Sequence, residues 1–88
     1  MENYVIENQE ENRFVTLLQF TAQDKTSIIT GLLAVFETVA RARKVMHAQA
    51  MELKEEGYMI TRLNRDEIKL VNPAEQERIL YLETYKVM

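Results

Sequence analysis

Residues 25 to 56 read KTSIITGLLAVFETVARARKVMHAQAMELKEE, a stretch without proline and with Gly31 as its only glycine. Ile28, Leu32, Val35, Val39, Ala42, Met46 and Leu53 follow one another at steps of four and three, interrupted only at Gln49. That spacing places them on one seam of a helix. Read as a single helix the stretch runs ~48 Å at 1.5 Å per residue, well beyond the ordinary globular helix. Two architectures follow: one long helix used for packing between chains, or two helices joined by an unmarked turn.

Asp24 or Thr26 supplies the N-cap by accepting a backbone N–H from the first turn. Gly57 marks the stop, because glycine adopts the left-handed conformation that ends a helix. Beyond it, Tyr58-Met-Ile-Thr-Arg-Leu63 and Glu67-Ile-Lys-Leu-Val71 are β-prone runs separated by Asn64-Arg65-Asp66, which predicts a β-hairpin. Asn72-Pro73-Ala74-Glu75 then predicts a second helix, with Asn as cap, Pro at its first position and Glu closing a capping box. Ile79, Leu80 and Leu82 form the buried side of that helix, and Tyr81 to Met88 either extends it or forms a last strand. Upstream, Phe14 to Ala22 reads two ways. Phe14, Leu17, Leu18 and Ala22 fit a helix, whereas Phe14, Thr16, Leu18 and Phe20 fit one face of a strand.

The chain of 88 residues is 47% hydrophobic and 28% charged, the composition of one small folded domain. Residues 1–12, with Glu2, Glu7, Glu10 and Glu11, form an acidic N-terminal arm, and residues 13–88 form the domain. Zero cysteines exclude disulfides, thiolate zinc sites and a cysteine nucleophile. Without a leader or an 18-residue apolar run, the expectation is a small soluble cytoplasmic protein with no membrane span. Against a net charge of -3, Arg41, Arg43 and Lys44 cluster on the central stretch, and Arg62, Arg65 and Lys69 follow it.

Met46-x-x-x-Ala50-x-x-Leu53-x-x-x-Gly57, followed by Tyr58-Met-Ile-Thr-Arg62 and Asp66-Glu-Ile-Lys-Leu-Val71, resembles the recognition helix and wing of winged helix-turn-helix DNA-binding proteins. The resemblance covers residues 39–75. It implies a mainly α fold with a C-terminal β-hairpin, winged-helix-like, and a DNA-binding protein of transcription regulation. The helix from about residue 39 would then read double-stranded DNA through Arg41, Arg43, Lys44 and His47, and the 58–71 hairpin would reach phosphates through Arg62 and Arg65. Arg41, Arg43 and Lys44 also read as a solvated helix face, and His47 as a surface residue.

The alternative fold is α+β, ordered strand, long helix, hairpin and helix (βαββα). Ile29, Leu33, Phe36 and Ala40 form a second apolar strip beside the seam, a homodimer interface if the helix is continuous. The function is then that of a dimeric protein-interaction module or inhibitor of viral or plasmid type, with another protein as partner.

No chemistry competes with these readings. His47 stands alone, without a carboxylate or second histidine at ligand spacing. Glu55-Glu56 and Asp66-Glu67 are adjacent pairs whose side chains diverge, and Ser27 has no histidine or lysine partner in a triad order. With no glycine-rich phosphate loop either, the expectation is a protein that is not an enzyme and carries no metal or cofactor.

Overall fold

A computed structural model describes residues 14–24 and 26–86; the acidic arm lies outside the described residues. Five strands and one helix follow in the order β1 (Phe14–Gln23), β2 (Ile28–Phe36), α1 (Val39–Glu55), β3 (Met59–Asn64), β4 (Glu67–Val71) and β5 (Glu77–Lys86). The strands form a single sheet in the order β2-β1-β5-β4-β3. Every neighbouring pair is antiparallel. Of the described residues 56% are strand and 24% helix, a mainly β arrangement that corrects the expected mainly α, winged-helix-like fold. It also departs from the βαββα alternative, since the long helix is a strand and a shorter helix, and the last element is a strand.

The central stretch divides at Glu37-Thr38. Ile28 to Phe36 is rich in β-branched and aromatic side chains and has no charge, so it pairs along β1 as a strand. Thr38 is extended (φ -130°, ψ 145°), and its hydroxyl accepts the Arg41 N–H at 3.3 Å, starting α1. The cap is therefore Thr38. Asp24 instead organises the β1–β2 turn, where its Oδ1 accepts the Thr26 and Ser27 N–H groups at 3.0 Å each. Those two N–H groups hold the Asp24 carboxyl below its ordinary value of 3.8. At the far end of α1 the predicted stop holds. Gly57 takes φ 108°, its N–H donates to the Lys54 carbonyl and the Tyr58 N–H donates to that of Leu53, both at 3.0 Å.

The β3–β4 hairpin forms where the turn residues predict it. The expected C-terminal helix does not form. Asn72 N–H donates to the Gln76 carbonyl, Glu75 N–H donates to the Asn72 carbonyl, and Asn72 Oδ1 accepts the Gln76 N–H, which closes a tight turn from β4 into β5. Asn-Pro suits the start of a type I turn as well as that of a helix. The turn leaves Glu75 at φ 66°, a left-handed conformation that costs a residue with a side chain about 1–2 kcal/mol. Glu75→Gly is expected to raise stability by roughly 0.5 kcal/mol once the extra freedom of glycine in the unfolded chain is subtracted, as read by chemical denaturation.

Beyond the turn, residues 77–86 alternate. Arg78, Leu80, Leu82 and Thr84 lie opposite Ala22, Phe20, Leu18 and Thr16 of β1, and the intervening residues face the other way. The helix packs on the first of these faces. Ala42, Met46, Ala50 and Leu53 are buried along α1 at steps of four, four and three. Of these, Met46, Ala50 and Leu53 form one core with Leu18, Ile68, Leu70 and Leu80, joined at its margin by Phe20, Phe36, Tyr58, Ile60 and Leu82. No second layer covers the other face of the sheet among the described residues.

Candidate interaction edge

The core sits over the inner strands and reaches β2 only at Phe36. Ile28, Ile29, Leu32, Leu33 and Val35 are between 44% and 64% exposed. They flank the strand on both sides. Ile28, Leu32 and Val35 pair in register with Gln23, Gln19 and Leu17 on the open face, and Ile29 pairs with Ala22 on the helix side. Leu33 is the residue skipped where the β1–β2 register shifts. It lines a cavity of about 150 Å³ between strand and helix, together with Phe20, Gln49, Leu53, Arg78 and Leu80. The Arg78 guanidinium stacks on the Tyr58 ring with its central carbon 5.6 Å from the ring centre.

The two outer strands differ in how their free edges are guarded. β3 is six residues long, carries a register shift between Ile60 and Arg62, and bears Arg62, whose guanidinium lies 3.0 Å from Glu67. Short length and charge discourage a further strand from pairing, whereas a register shift is common to both outer strands. β2 is nine residues long, roughly 30 Å at 3.3 Å per residue, and has neither charge nor proline. Among the described residues its backbone donors and acceptors on the outer side have no strand partner, since β2 ends the sheet.

The six basic candidates lie on α1 and on the β3–β4 hairpin. Arg41 and Lys44 are exposed and line an open depression with Thr38, Ala40 and Val45, and His47 is exposed further along α1. Arg43 is half-buried and its Nε donates to Asp66 Oδ1 at 2.9 Å, tying the helix to the hairpin turn. Arg62 is paired with Glu67, and Arg65 is exposed at the hairpin tip. A winged helix needs further helices around its reading helix, whereas the described residues hold one helix laid on a five-stranded sheet. The mainly α, winged-helix-like fold is therefore corrected.

The four proposed dimer residues fare differently. Ile29, Leu33 and Phe36 lie on the edge strand β2 and not on a helical strip, with Phe36 packed against the core. Ala40 is exposed in the first turn of α1. Sequence reasoning missed Ile28, Leu32 and Val35 as surface residues by placing them in the helical seam; the signal was the uncharged, β-branched run they belong to.

Tyr85 is the other group with a shifted titration. Its hydroxyl donates to Glu83 at 3.0 Å, and that carboxylate pushes the phenol above its ordinary value. Among the described residues, no group of three acidic or histidine side chains is placed to hold a metal ion, and no helix is long and apolar enough to cross a membrane. Compared with known protein families, curated proteins and solved structures, the chain shows no match.

Proposed function

We propose that the chain is a protein-interaction module that docks an uncharged, extended apolar segment against β2, adding a strand to its sheet in the cytoplasm. The observation that carries this reading is the unguarded edge. Five large apolar side chains stand about half exposed along nine uncharged residues at the border of the sheet. A partner strand would satisfy the outer backbone groups of β2 and cover these side chains from both faces, the mode by which exposed sheet edges recruit peptides. Each side chain offers on the order of 80–100 Å², so together they supply roughly half of the ~800 Å² per partner of an ordinary specific interface. The strand backbone and its flanks supply the rest. Measurements therefore extend to protein concentrations of a few hundred micromolar, on the order expected for a modest interface.

The test is Ile28→Lys combined with Leu32→Lys. Both positions are over half exposed, so the double variant is expected to keep the far-UV circular dichroism of the parent. Lysine on an edge strand blocks further pairing. The immobilised parent is expected to retain a protein, itself or another, and the variant to retain at least tenfold less. A folded variant that binds as well as the parent, or a parent that binds nothing, contradicts the reading.

A further inference from the structure

We propose that the strand completing this edge is β2 of a second copy, paired antiparallel about a two-fold axis that passes by Thr30, so that two five-stranded sheets become one. The inference rests on the reading of β2 as a docking edge and names its occupant.

Charge is the first argument. The chain is acidic overall, at -3, and like-charged copies repel. Ile28 to Phe36 carries no charge, so two copies meeting along this strand place none on the seam.

Register is the second. Leu32 lies opposite Gln19 and Ala34 opposite Leu18, so Leu33 is left over and interrupts the ladder. The regular part of β2 is Ile28 to Leu32, and Thr30 is its midpoint. About an axis at Thr30, Ile28 meets Leu32 of the second copy, and both belong to the open face of the sheet. Ile29 meets Gly31 of the second copy, and both belong to the helix side. An axis one residue further on, at Gly31, sets Ile28 from the open face against Ala34 from the helix side, and the faces no longer match.

The pairs formed by the Thr30 axis are also complementary in size and chemistry. Gly31 has no side chain, and the Phe20 ring leans over it so closely that a Cβ there would lie 2.7 Å from Phe20 Cε1. Ile29 of the second copy, opposite that glycine, then meets the Phe20 ring in place of a Gly31 side chain. On the open face Thr30 and Thr21 already stand with their hydroxyl oxygens 3.4 Å apart. The two-fold axis continues this pair into a row of four threonines across both sheets, a favourable cross-strand combination.

Because the natural chain has no cysteine, single introduced thiols report the pairing cleanly. Directly opposed residues of an antiparallel pair have Cα atoms about 4.5–5.5 Å apart, inside the ~4.4–6.8 Å span of a disulfide. Thr30→Cys, at an exposed position, is expected to form a covalent dimer under mild oxidation at least tenfold faster than Asn64→Cys on β3. Ile28→Cys mixed with Leu32→Cys is expected to link one to the other faster than either links to itself. Sedimentation of the unmodified chain is expected to show a concentration-dependent dimer. Fastest self-linking at Leu32→Cys or Val35→Cys overturns the Thr30 axis. A chain that sediments as a monomer throughout, yet still captures another protein in a manner abolished by Ile28→Lys with Leu32→Lys, overturns the second copy and leaves the docking edge standing. A monomer that captures nothing overturns both.

Discussion

Met46→Ala is expected to lower stability by about 3 kcal/mol and the melting temperature by roughly 15 °C, as measured by thermal unfolding. Met46 is fully buried at the middle of the α1 face, in one cluster with Leu18, Ile68, Leu70 and Leu80. The loss combines the transfer free energy of the removed side chain with that of the void left between helix and sheet. A domain of this size has total stability on the order of 4–13 kcal/mol, so one such void removes a large share of it. The same change at Met51, which is exposed on the opposite side of the helix, is expected to cost less than about 0.5 kcal/mol. Equal losses at the two methionines would contradict the placement of the core.

The second large effect is expected at Gly31→Val, a loss of about 2 kcal/mol measured by chemical denaturation. β-branched residues ordinarily suit strands, so intrinsic propensity alone predicts a gain here. The geometry reverses the sign. Phe20 lies directly across from Gly31 in the β1–β2 ladder and occupies the space where a side chain would project. Valine would force the ring away from the core margin it shares with Leu80 and Leu53. Phe20→Ala with Gly31→Val is expected to cost less than the sum of the two single changes, because the clash disappears with the ring. Additive costs would remove the steric explanation.

The hairpin and the end of the helix were legible because Asn64-Arg65-Asp66 and Gly57 have few alternative uses between apolar runs. Along α1 the helical periodicity was also sound, since Ala42, Met46 and Leu53 are buried as spaced. It was extended too far upstream. Steps of four and three through Ile28, Leu32 and Val35 match a helix by coincidence, in a run where nearly every residue is apolar and any period finds members. Composition marked the boundary better: residues 26–36 carry no charge, whereas charged residues recur from Glu37 onward. Thr38, three residues before Arg41, was the cap that divided the stretch.

At the C-terminal end, Asn72-Pro73 was ambiguous locally, and the β-branched and aromatic content of Ile79 to Tyr85 was the better signal. The ladder to β1 was not legible, because it joins residues more than fifty positions apart. The candidate edge was half visible. Ile29, Leu33 and Phe36 read from the sequence as a helical strip, and only the sheet shows that they lie on a border strand, with Ile28, Leu32 and Val35 on its opposite face.

Amide hydrogen exchange of β2, followed from low micromolar to several hundred micromolar protein, tests most directly whether this strand is the working edge. The account predicts that amides between Ile28 and Leu32 gain protection as concentration rises, while those of Met59 to Asn64 on the opposite border stay unchanged. Protection at β2 that is the same at every concentration, or that rises equally on both borders, would contradict it.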